Sequence, residues 1–197
     1  WKASPRKGNA DVTGVFAPSA AGEVANWDGA GQFSVLDGCV EIVGAGKAAS
    51  TVKQEHQGSI GGSGWPSATA TELRLRDVTF VQGGGGGFHL LMDQQTAAGS
   101  KGARLVLDNA DMTCNGLDIG YNKINGNAET VCPELTITNG TLEITGQLRV
   151  PVNSGMAPVV RVGAGGLIRR KSTTAAGGVW FSHTLDARFE DGGTLEV

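Results

Sequence analysis

The sequence predicts an all-β chain wound as a right-handed parallel β-helix of about five to six irregular coils. Three observations predict it. One short phrase recurs along the 197 residues as "FSVLDGCVEIVG", "LRLRDVTFVQGG", "LVLDNADMTCNG", "LTITNGTLEITG", "VRVGAGGLIRR" and "RFEDGGTLEV". Within each phrase apolar and polar letters alternate, which is the period of a strand with one buried face. The middle of most phrases carries Asp or Asn, and glycine clusters between phrases, where tight turns tolerate the left-handed backbone.

Length and composition bound the alternatives. The chain is long enough for one domain with a substantial core. Apolar residues at 40% and charged residues at 18% exclude a disordered polyelectrolyte. No apolar run reaches the ~20 residues that cross a bilayer as a helix. A net charge of −3 gives no general drive toward nucleic acid, so neither nucleic acid nor membrane insertion is expected. The chain opens on Trp1 and stops on Val197 inside a strand-like phrase. Both ends read as excised, which suggests a fragment of something longer.

Aligned on the turn letter, the phrases give a column of Asp37, Asp77, Asn109, Asn139, Ala164 and Asp191. Two and four positions earlier stand apolar pairs such as Leu75/Leu73, Leu107/Leu105 and Ile137/Leu135. In this alignment Val35 and Phe33 fill the same places in the first phrase. Three positions after the turn come Val40, Phe80, Met112, Leu142 and Leu167, with the last phrase slipping to Leu195. A further apolar segment follows in "FHLLMD", "LDIGYN", "QLRVPV" and "VWFSHT". Repeats at intervals of roughly 25 to 40 residues, with two or three strands each, are the mark of a solenoid. Stacked coils place equivalent residues about 4.8 Å apart, and outward loops absorb insertions at little entropic cost. A β-sandwich explains the alternation equally well, but not the repeated phrase.

Residues 33–197 therefore read as coils. Residues 1–32 lack the phrase and read as an N-terminal covering segment or an incomplete first coil. Outward letters beside the turn put Arg76 and Asp108 on neighbouring coils, where they would pair.

Chemistry is harder to find. A polysaccharide lyase would need clustered carboxylates and a basic residue on the outward face. Asp108 and Asp111 with Arg74, Arg76 and Arg104 are the candidates, joined by Asp77 from the adjacent coil. Calcium would be the cofactor of such a site; otherwise none is expected. Surface and turn residues are the simpler reading of the same letters. His56, His89 and His183 are scattered, and no nucleophile, zinc or phosphate-loop motif is present. Trp65, in "GGSGWPSATA", is a weak candidate for sugar binding. Cys114 and Cys132 bracket a polar insertion that a disulfide could staple; the other reading makes Cys114 a small buried hydrophobe. Cys39 is left over either way.

The phrases "LTITNGTLEITGQLRV" and "VVRVGAGGLIRR" resemble the repeats of bacterial autotransporter-type passengers and related extracellular parallel β-helix proteins, the pectin-lyase-like fold group. The resemblance spans roughly residues 33–197. It implies a secreted or surface-displayed bacterial protein with structural or adhesive duties, a carbohydrate or host-surface ligand, and end-to-end self-association through open coil ends. The alternative it leaves is a polysaccharide-active lyase or hydrolase, or a carbohydrate-binding module.

Overall fold

The computed structural model describes residues 12–15, 24–27, 33–35, 39–54, 58–60, 71–83, 88–90, 103–119, 133–150, 158–171, 179–181, 186–189 and 193–196. Among them the chain is all-β, without a helix. Its strands follow in triplets: β1 (Val12–Val15), β2 (Val24–Trp27) and β3 (Phe33–Val35); β4 (Cys39–Val43), β5 (Thr51–Gln54) and β6 (Gly58–Ile60). Next come β7 (Thr71–Arg76), β8 (Thr79–Gln82) and β9 (Phe88–Leu90); β10 (Ala103–Asp108), β11 (Asp111–Cys114) and β12 (Leu117–Ile119). Then follow β13 (Glu134–Thr138), β14 (Thr141–Ile144) and β15 (Leu148–Val150); β16 (Val159–Val162), β17 (Leu167–Arg170) and β18 (Val179–Phe181); and finally β19 (Asp186–Phe189) and β20 (Thr194–Glu196).

Each strand pairs with the strand three further along. The first sheet runs β1-β4-β7-β10-β13-β16-β19, the second β2-β5-β8-β11-β14-β17-β20, and the third β18-β15-β12-β9-β6-β3. Every described pairing is parallel, which an antiparallel β-sandwich does not accommodate. Val12–Val15 and Val24–Trp27 of the N-terminal segment pair in register with β4 and β5.

The register stacks like on like. Leu75, Leu107, Ile137 and Val162 stand level on consecutive strands of the first sheet, as do Leu73, Leu105, Leu135 and Val160. In the second sheet the file is Val52, Phe80, Met112, Leu142 and Ile168. All of these are buried, and together with Leu117, Ile119 and Ile60 of the third sheet they form one continuous cluster. Burying each such side chain contributes about 2–3 kcal/mol. That is how short strands, which cannot hold together singly, become a core.

Two details of the predicted alignment change. In "FSVLDGCVEIVG", Val35 lies in the third sheet opposite Ile60, whereas Val40 and Ile42 stand level with Leu73 and Leu75 of the first. The phrase joins the third sheet to the first, and Gly44, not Asp37, follows the strand where Asp77 follows β7. The Gly44 amide donates to the Arg76 carbonyl at 2.9 Å. Asp37 itself, and Asp191 at the other end of the column, lie outside the described residues. The misalignment arises because any two strands flanking Asp-Gly display the same alternation. The second change is at "VRVGAGGLIRR". Ile168, not Leu167, is level with Leu142, because Gly165 (φ 67°) and Gly166 fill the place that Gly140 fills alone one repeat earlier.

Leu107→Ala removes the centre of a file between Leu75 and Ile137. It is expected to lower unfolding free energy by about 3 kcal/mol in a denaturant titration, against less than ~0.5 kcal/mol for the outward Thr138→Ala.

Candidate functional site

The corner between the first and second sheets is the most regular part of the chain. Asp77, Asn109 and Asn139 adopt the left-handed backbone, with φ of 53°, 49° and 49°. Their backbone amides donate onward, Asp77 to the Asp108 carbonyl (3.2 Å), Asn109 to that of Thr138 (2.9 Å) and Asn139 to that of Ala164 (3.0 Å). Their side chains form a ladder: Asn139 Nδ2 donates to Asn109 Oδ1 at 2.9 Å, and Asn109 Nδ2 to Asp77 Oδ1 at 2.5 Å. An amide has both a donor and an acceptor, so Asn can sit in the middle of such a ladder, whereas a carboxylate only accepts and ends it. Asp77 is thus engaged in the turn.

Lys47, on the turn after β4, reaches along this corner. Its Nζ lies 3.2 Å from Asp111 Oδ1 and donates to the Asn139 carbonyl at 3.2 Å. Asp111 Oδ1 also accepts the Thr141 amide at 2.9 Å. The ammonium holds two later repeats through one long side chain, a link between residues far apart in sequence.

The outer face of the first sheet carries the three candidate arginines, and each has a carboxylate that the sequence reading did not assign to it. Arg74 Nη2 lies 2.8 Å from Glu72 Oε1, Arg76 Nη2 lies 3.3 Å from Glu41 Oε1, and Arg104 Nε lies 3.4 Å from Glu134 Oε2. Arg161 also donates to Glu134. Arg76 and Asp108 are level in register, yet the Arg76 guanidinium turns to Glu41. Asp108 is exposed, beyond Asn109 from Asp111. Asp111 belongs to β11 of the second sheet, and Arg104 and Asp108 stand at opposite ends of β10, so the two aspartates and three arginines do not converge on a point. Among the described residues no three His, Cys, Asp or Glu side chains are grouped to hold a metal ion.

Among the described residues the most buried charge on an outward strand position lies elsewhere. Asp118 is level with His89 on one neighbouring strand and Arg149 on the other, and Arg149 with Trp180. Its side chain is only 4% exposed and takes a bidentate pair from Arg149, Nε to Oδ1 at 2.5 Å and Nη2 to Oδ2 at 2.6 Å. The signal was present in the sequence as the middle letters of "FHL", "LDI", "LRV" and "VWF", which read His, Asp, Arg, Trp. It became visible only once those segments were known to pair.

Cys114 carries a free thiol. The alternation of β11 turns it into the core, level with Ile144, as the small-hydrophobe reading expects. Cys132 and Trp65 lie outside the described residues, as do His56 and His183. Burial, with a smaller contribution from the Asp118 carboxylate, pushes the Cys114 thiol from 9.0 up to about 12. Cys39 is half-buried, with its Sγ donating to Glu72 Oε1 at 3.8 Å.

No protein-family model matches the chain, and neither a curated protein nor a solved structure with significant similarity is found.

Asn109→Ala loses both ladder bonds and places a Cβ-bearing residue without an amide in the left-handed region, so it should cost about 2 kcal/mol; Asn109→Gly, which keeps the backbone at ease, should cost about 1 kcal/mol. Denaturant midpoints of the two variants measure the difference. For the thiols, the folded pKa of Cys114 lies above its unfolded value. Its contribution to stability is therefore intact below pH 9 and lost as pH rises toward 12. At pH 8, alkylation mapped by peptide mass spectrometry should mark Cys39 and spare Cys114 until denaturant is added.

Proposed function

We propose that the three parallel sheets are the faces of a right-handed parallel β-helix. In this proposal the chain is a noncatalytic structural and adhesive segment of a secreted or surface-displayed bacterial protein. The observation that carries it is the fate of the outward charges. Glu41, Glu72 and Glu134 are paired with Arg74, Arg76, Arg104 and Arg161, while Asp111 binds Lys47 and a backbone amide and Asp77 ends the turn ladder. Of the groups a lyase would use to bind calcium and abstract a proton, the three arginines, Asp77 and Asp111 are engaged with other protein groups, and Asp108 is exposed. Each exposed pair contributes at most ~1 kcal/mol; Arg104 and Glu134 stand level, whereas Arg76–Glu41 and Arg161–Glu134 are diagonal and Arg74–Glu72 lies within β7.

Joining of copies end to end through unpaired strands at the sheet ends belongs to the same proposal, since parallel edges template further pairing. One observation favours the second reading, a polysaccharide-active enzyme or a carbohydrate-binding module. Asp118 is a buried carboxylate oriented by Arg149 and in line with His89 and Trp180, and such environments are common at working sites.

Incubation with acidic and neutral polysaccharides, with and without calcium, should release neither reducing ends nor unsaturated products. Release that disappears in Asp118→Asn would replace the first reading by the second. Light scattering across a concentration series should show growing assemblies, and a strictly monomeric protein would remove the self-association.

A further inference from the structure

The middle letters of the third sheet's strands make a file of their own. Ser59 of β6 stands level with His89 of β9, and His89 stands level with Asp118 of β12. Each lies between two letters of the inward files, Gly58 and Ile60, Phe88 and Leu90, Leu117 and Ile119, so all three positions belong to the outer face. Neighbouring strands are about 4.8 Å apart, which sets the ends of the trio roughly 10 Å from each other with the histidine midway. A hydroxyl, an imidazole and a carboxylate in that order supply what acyl transfer through a serine requires: a nucleophile, a base and a group that orients the base. Such sets are known by their roles and geometry, whatever the order of the residues in the chain. Asp118 has the surroundings of an orienting carboxylate. Its side chain is 4% exposed, and Arg149 donates to it from the strand on the far side of His89, Nε to Oδ1 at 2.5 Å and Nη2 to Oδ2 at 2.6 Å. A carboxylate offers about four lone-pair sites, so this fork leaves room for an imidazole N–H arriving from β9.

We infer that the file of Ser59, His89 and Asp118 is a hydrolytic site for small carboxylic esters. The inference goes beyond the structural reading; it rests on the buried Asp118 that favours the second reading, and it changes the bond broken from glycosidic to ester. Ser59 Oγ attacks the ester carbonyl carbon while His89 takes the hydroxyl proton. The C–O bond to the alcohol then breaks, and His89 returns the proton to the departing oxygen, leaving an acyl ester on Ser59. Water next gives a proton to His89 and attacks the acyl carbon. The carboxylic acid leaves, and Ser59 recovers its proton. The sum is ester plus water to acid plus alcohol, and no oxidant, reductant or metal enters it. Asp118 is a positioning residue that acts through His89 and steadies the imidazolium, and Arg149 positions Asp118 in turn. Esters fit better than amides because their alcohols leave more easily. The strands around Ser59 commit their backbone N–H groups to sheet pairing, so few donors remain to stabilise the oxyanion that a harder leaving group would demand.

The test takes the intact 197-residue chain with p-nitrophenyl butyrate as substrate and, separately, with a fluorophosphonate that labels serines activated by a base. Hydrolysis by the parent should exceed that by Ser59→Ala about 10²-fold or more. Ser59→Ala keeps Cys39 and every lysine, so it measures unspecific acyl transfer. His89→Asn should fall to the same level, and the thermal midpoints of both variants should stay within a few degrees of the parent, since neither touches an inward file. Asp118→Asn should lower kcat at least about tenfold with KM within about twofold, the signature of a lost orienting group. Peptide mass spectrometry should place the phosphonate on Ser59 in the parent and find Ser59 unlabelled in His89→Asn. The inference is overturned if Ser59→Ala hydrolyses the ester as fast as the parent, if no adduct forms on Ser59, or if Asp118→Asn leaves kcat as it was. Its failure leaves the structural reading standing, and the release of products from polysaccharides remains a separate outcome that decides the second reading. Its success removes the noncatalytic half of the first reading and leaves the strand register and the self-association as they are.

Discussion

In-register parallel pairing is the constraint on which everything else depends. Once each strand bonds to the strand three further on, every residue stands directly against its equivalents, about 4.8 Å above and below. A letter is then chosen for its neighbours in the file as much as for its own strand. Leucine above leucine is favourable, and the inner files of Leu73, Leu105 and Leu135 and of Leu75, Leu107 and Ile137 obey this. Like charges in a file repel. On the outer face Arg104 therefore stands between Glu72 and Glu134, Arg74 opposite Glu41, and Arg76 opposite Asp108. In these strands the scrambled outward letters alternate in sign when read across strands, although Arg161 stands opposite Arg188 further along the sheet.

Side chains that stack on themselves show the same constraint from another side. Asn109 and Asn139 repeat because an amide can both give and receive within a file, and Asp77 marks where that ladder stops. At the corner the backbones also come very close. A Cβ on Gly140 would lie 2.0 Å from the Ala110 carbonyl oxygen, so the residue after Asn139 is held to glycine by the neighbouring repeat, not by its own turn. The inward file at the far end of the second sheet departs from the rule of like on like. It passes from Gln54 and Gln82, both buried, through Cys114 and Ile144 to the half-buried Arg170, whose Nε donates to the Gly146 carbonyl.

This explains which parts of the molecule could be read from the letters. Inward positions of β7, β10 and β13 were legible because burial restricts them to Leu and Ile at a strict alternation. The turn residues were legible because few side chains tolerate a positive φ. The first phrase was misaligned because β3 and β4 imitate the two strands of a repeat around Asp37-Gly38, while belonging to the third and first sheets. An extra glycine shifted the frame at Leu167 for a similar reason: alternation fixes a frame only up to the next insertion. The partners of the arginines were not legible at all. Glu41 and Arg76, or Lys47 and Asn139, meet only after register is set, and nothing local in either stretch announces the other.

The corners differ in how far they vary between repeats. Between the first and second sheets the connection is Asp77-Val78, Asn109-Ala110 or Asn139-Gly140 in three successive repeats, each bonded through its backbone to the next, and it lengthens to residues 44–50 before them and 163–166 after them. In these three repeats variation in length falls in the other two corners. The outer face of the first sheet, lying beside the rigid corner, keeps its spacing whatever the loops elsewhere do.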